Sequence, residues 1–133
     1  MRRYILGFSL LLLGTLLRNM WAAPEDSKDK ISKVIKYSIV NIEYKGTKVW
    51  VPSVLIVPKG ARVELKLINN TPSGVHGFNI SDFNVKVEVA SDKPQEVAFI
   101  ADKAGLFPIN CHLHPAHVGG QLFVIDFASL NNR

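Results

Sequence analysis

In three short stretches, Ile35–Ile39, Arg62–Leu67 and Val85–Val89, the chain alternates apolar and polar residues with a period of two, and no other feature restricts its fold as much. In Arg62-Val-Glu-Leu-Lys-Leu67, Val63, Leu65 and Leu67 alternate with Glu64 and Lys66. In Val85-Lys-Val-Glu-Val89 the valines alternate with Lys86 and Glu88, and Ile35, Tyr37 and Ile39 repeat the pattern around Lys36 and Ser38. Successive side chains of a strand point to opposite faces, so this spacing predicts strands with one face buried and one wet. Trp50–Val57, Val97–Ile100, Leu106–Cys111 and Gln121–Phe127 are further apolar, β-rich runs. Turn-forming clusters separate them at Lys45-Gly46, Pro58-Lys59-Gly60, Asn69–Gly74, Ser91–Pro94 and Asp102–Gly105. No sustained 3.6-residue period and no repeat interrupts this pattern. About six to eight short strands at such spacing predict an all-β, Greek-key β-sandwich.

The N-terminus has a different character. Arg2 and Arg3 precede a largely apolar run of thirteen residues, Ile5 to Leu17, followed by small residues. That is the plan of a secretory leader, and the run is short for a membrane span, which needs about 20 apolar residues. The expected organisation is a leader over residues 1–23, cleaved or retained as an anchor, a polar linker over 24–33, and one domain over 34–133. Export would place the domain in the periplasm or outside the cell. The formal charge of +5 belongs largely to the leader: Arg2, Arg3 and Arg18 lie in it, and all 11 acidic residues follow it. The remainder is close to neutral, with its lysines scattered, which gives nucleic-acid binding no support.

Cysteine and histidine are confined to two short segments. The single cysteine, Cys111, and three of the four histidines, His112, His114 and His117, fall within seven consecutive residues; His76 lies 35 positions upstream. One cysteine can form no internal disulfide, so an exported Cys111 is a free thiol that calls for an explanation, and ligation of a metal is one. The two-residue gap lets Cys111 at a strand end and His114 in the following turn face one point. His117 reaches that point if Pro115 keeps the loop tight, and His76 must come from a neighbouring strand end. One thiolate with imidazoles suits copper or zinc. Met, the usual weak axial ligand of copper, occurs only at positions 1 and 20, within the leader. The fourth position is therefore His117, a backbone oxygen, water, or open. His112 follows Cys111 directly and is expected to point the other way, toward solvent. Gly119-Gly120 is expected to let the chain turn back sharply into the last strand.

These segments resemble the cupredoxins, small copper proteins of the β-sandwich type. Val54-Leu-Ile-Val-Pro-Lys-Gly-Ala-Arg-Val-Glu-Leu-Lys-Leu-Ile-Asn-Asn70 is similar to the family's strand-turn-strand leading to the first histidine, and Cys111-His-Leu-His-Pro115 to its closing loop. Within the family the resemblance is closest to nitrosocyanin-like red copper proteins, through Gly77–Val89, Phe99–Gly105, Cys111–Pro115 and Gly119–Val124. The resemblance departs at His76, where the red proteins carry glutamate, and at Gly77, where many blue ones carry an asparagine that ties the two ligand loops together. It implies one copper ion per chain held by His76, Cys111, His114 and His117, and an electron carrier working with a redox partner protein. The alternatives are an open copper site acting on a small molecule such as nitric oxide, a copper storage or delivery protein, and a structural zinc site.

Overall fold

The computed structural model describes residues 33–72 and 74–130; the expected leader, and the linker apart from Lys33, lie outside them. Nine strands follow one another: β1 (Val34–Tyr44), β2 (Thr47–Val51), β3 (Val54–Pro58), β4 (Arg62–Asn69), β5 (Val75–Ile80), β6 (Val85–Ala90), β7 (Gln95–Ile100), β8 (Gly105–Ile109) and β9 (Gly120–Ile125). A 3-10 turn at Ser81–Phe83 and a four-residue helix at Phe127–Leu130 are the helical elements among the described residues. The fold is the expected β-sandwich, with more strands than the sequence indicates for two reasons. The apolar run Trp50–Val57 is two strands, because the chain leaves the ladder at Pro52, which has no N–H to donate, and β3 joins a different sheet. The other addition is β5, whose signal is weakened by Gly77 in mid-strand.

One sheet has the order β2-β1-β4-β7, a second β3-β9-β8, and β5 and β6 form a hairpin that packs beside β8 on one side and β7 on the other. The alternating residues do what their period dictates. Val63, Leu65 and Leu67 are buried while Arg62 and Lys66 are exposed, and β4 pairs in register with β1 and β7, Leu65 lying opposite Tyr37 and Val97. The core joins these to Ile39, Leu55, Val57, Phe78, Ile80, Val89, Leu122 and Val124. Each such side chain contributes roughly 1.5–3 kcal/mol relative to exposure, which lets the sandwich form without a disulfide. The β4–β5 and β8–β9 connections leave the sandwich at one end, and both run past the start of β5.

Candidate metal centre

The loop after β8 is built of two successive tight turns. The His114 N–H donates to the Cys111 carbonyl at 3.2 Å, and the His117 N–H to the His114 carbonyl at 3.0 Å. These turns carry residues 111, 114 and 117 round a common point, and the Val118 N–H fastens the loop to β2 through the Lys48 carbonyl at 3.1 Å. His76, second residue of β5, faces the same point. One donor atom from each of His76, Cys111, His114 and His117 lies within 4.8 Å of every other. The three imidazoles pack with centroids 4.6–5.1 Å apart. Cys111 and His76 are buried, His117 is half-buried and His114 is exposed.

The orientation of His76 follows from a chain of hydrogen bonds. Both amide hydrogens of buried Asn69 are used, by the Val89 carbonyl at 3.0 Å and the Gly74 carbonyl at 3.2 Å. Its Oδ1 therefore accepts, from the Thr71 hydroxyl at 2.7 Å and the Thr71 N–H at 3.1 Å. Having donated its proton, the Thr71 hydroxyl can only accept from His76 Nε2, 3.1 Å away. That places the imidazole proton on Nε2 and leaves Nδ1 of His76 as a bare lone pair. Partners of this kind, behind a ligand, commonly fix its tautomer and ring angle.

Nδ1 of His76 is buried without a hydrogen-bond partner, and so is Nδ1 of His117. Unpaired buried polar atoms are rare and costly, and two of them within a cluster that also holds a thiol form a donor set that could hold a cation. Burial holds the pKa of His76 below the ordinary imidazole value, with smaller contributions from His117, His114 and Lys48. His117 is lowered in the same way, by burial first and then by His114 and Lys48. Both imidazoles are thus kept in the neutral form that a metal requires. The Cys111 sulfur accepts the Gly77 N–H at 3.2 Å and lies 3.5 Å from His114 Nδ1. On its other side Gly77 is held by the Trp50 indole, whose N–H donates to the Gly77 carbonyl at 3.0 Å.

A sandwich with one cysteine and three histidines converging at one end finds its counterpart among known proteins. Residues 10–124 match the family model of the cupredoxin-like domain. This chain belongs to the cupredoxin-like family. No curated protein matches it. Among solved structures it is similar to a copper nitrite reductase from Nitrosomonas europaea, with a TM-score of 0.56 and 18% identity over 73% of this chain. The match spans 43% of that longer chain, and at this identity it is a likeness of fold.

In this cupredoxin-like chain all four expected donors come together, His76 from the start of β5 and the others from the loop after β8, which begins 35 residues on. Two expectations at the site need correction. His112 does not face solvent: both its ring nitrogens are buried without a partner, and the ring lies over Gly77, where it would meet an added Cβ at 2.5 Å from Nδ1. Cys111 is past the end of β8, so strand alternation does not apply there. Gly119 and Gly120 are glycine because backbone passes close by, at Ile109 O and Ser53 O respectively, and not because the turn needs a positive φ. Sequence reasoning missed Asn69, Thr71 and the hydrogen-bonding role of Trp50. A buried Asn-x-Thr just before the histidine carries no ligand signal. Gly77 would mark the close approach of another group only once β5 is known to be a strand.

Proposed function

We propose that His76, Cys111, His114 and His117 hold one copper ion, and that the mature domain is an exported electron carrier serving a redox partner protein. The observation that carries this reading is the convergence of four donors within 4.8 Å at the rim of a rigid sandwich. Copper bound there supplies a one-electron couple. The protein's own contribution is to hold the donors still: Thr71 orients His76, Gly77 donates to the Cys111 sulfur, and Lys48 anchors the segment beyond His117. A donor set fixed in this way needs little rearrangement when an electron arrives or leaves. The exposed edge of His114 is the natural point of approach for a partner. A concavity of about 530 Å³ on the outer face of the four-stranded sheet is lined by Lys36, Arg62, Glu64 and Glu96, and none of the four donors borders it.

Three imidazoles and a thiolate, without methionine, favour the stronger-field, lower-potential centre of the nitrosocyanin-like red proteins over a blue one. Export follows from the leader-like residues 1–23, and ligation would protect the single thiol in an oxidising compartment. The test is to load the domain with copper, record absorption and electron paramagnetic resonance spectra, and titrate azide. A sulfur-to-copper charge-transfer band that is lost in Cys111→Ser and insensitive to azide is expected. A band that survives Cys111→Ser sinks the ligand assignment, and a saturable azide shift turns the reading toward an open site acting on a small molecule.

A further inference from the structure

His112 contributes no donor to the cluster, yet its ring is pressed into the space beside it. Gly77 is buried, and a Cβ built on it would lie 2.5 Å from Nδ1, 2.7 Å from Cε1 and 3.0 Å from Cγ of His112. Neither ring nitrogen makes a hydrogen bond, so the imidazole acts here through its shape. The backbone beneath it is the segment whose N–H reaches the Cys111 sulfur at 3.2 Å. Two residues along, β5 and the closing loop are tied again. The Asn79 N–H donates to the Asn110 carbonyl at 3.0 Å, the Asn110 N–H to the Asn79 carbonyl at 3.1 Å, and the Asn79 amide to Asn110 Oδ1 at 2.9 Å. The Trp50 indole holds Gly77 through its carbonyl. From the loop side, the His112 ring covers Gly77.

We propose that His112 is a positioning residue: its ring, seated in the space left by the missing side chain of Gly77, clamps β5 to the ligand loop and keeps the Gly77 N–H on the Cys111 sulfur. Glycine and histidine form a matched pair whose packing adds a second hold beside the hydrogen bonds of Asn79 with Asn110. The inference rests on Cys111 being a ligand, and it assigns to its neighbour the task of setting the sulfur's environment. Removing the ring frees Gly77 to move off the sulfur. A thiolate that loses a hydrogen bond becomes the better donor, so its charge-transfer band moves to longer wavelength.

The test combines His112→Ala, His112→Phe, Gly77→Ala and the double variant Gly77→Ala/His112→Ala. In the metal-free protein, amide hydrogen exchange at Gly77 is expected to quicken by about tenfold or more in His112→Ala, while core amides such as that of Leu65 keep their protection. His112→Phe, which keeps a flat ring, should stay close to the parent. With copper bound, His112→Ala should show the shift to longer wavelength. Gly77→Ala should disturb the band in the parent background and much less when His112 is also alanine, because the added methyl then has room. Unchanged Gly77 exchange in His112→Ala overturns the clamp, as does equal damage by Gly77→Ala in both backgrounds. If His112→Ala does not fold, His112→Phe decides: parent-like exchange and band uphold the clamp, and disturbed ones overturn it. If the parent shows no sulfur-to-copper band, the ligand assignment of Cys111 fails, and the exchange rates still judge the clamp by themselves.

Discussion

Thr71 shows how much chemistry one hydroxyl can decide. It donates to Asn69 and must therefore accept from His76, which leaves the nitrogen facing the other donors without a proton. Thr71→Val keeps the shape and removes the acceptor, so His76 is free to adopt either tautomer and either ring angle. Copper affinity should fall by about 10–100-fold, with the sandwich still folded, as measured by competition against a chelator. An affinity equal to that of the parent would mean that Asn69 and Thr71 only close the β4–β5 loop. None of this was visible in the sequence, where Asn69-Asn-Thr-Pro-Ser reads as turn chemistry.

Elements brought these residues into place by leaving side chains out as well as by supplying them. At the start of β9 the Gln121 N–H donates to the Ser53 carbonyl at 2.7 Å, and a Cβ on Gly120 would collide with that carbonyl oxygen. Gly120→Ala must push β9 away from the entry to β3, at a cost of about 1–3 kcal/mol, read as a lower midpoint in urea. Gly119→Ala, whose Cβ would meet Ile109 O at 3.0 Å, should be milder. Equal midpoints for Gly120→Ala and the parent would show that the two strands can separate freely there. The alternation in β1, β4 and β6 was legible because each strand has one wet face. The division of Trp50–Val57 between two sheets was not, because both halves are apolar and only Pro52 marks the change.

For the molecule as a whole, the imidazoles of His76 and His117, packed at one end, tie stability to pH. His76 and His117 are held below the ordinary value of 6.5, chiefly by burial. The unfolded chain takes up protons at these side chains from about pH 6.5 downward, whereas the folded metal-free chain resists until their lower pKa values are reached. In that window the unfolded state binds more protons, so stability rises with pH and falls on acidification. The denaturation midpoint of metal-free protein should therefore be lower at pH 5.5 than at pH 7.5. Copper-loaded protein should show a steeper loss, because protons also compete for the ligands. The depressed carboxyls of Glu64 and Asp126, paired with Lys36 and Lys59 respectively, act below this range. A flat or rising metal-free midpoint on acidification would contradict the account.

What the sequence determined by itself was whatever a local rule enforces. Period-two burial makes strands, their number and spacing make a sandwich, and a thiol with three imidazoles in two segments makes a candidate metal centre. The tertiary structure decided the rest, because the deciding contacts join residues far apart in the chain. Gly77 and His112 are 35 positions apart, and each reads as ordinary until the ring of one is found in the space left by the other. Gly120 and Ser53 meet across a sheet, and Trp50 reaches Gly77 through the core. A pattern along the chain states which face of a strand is buried. Only packing states which backbone lies against it.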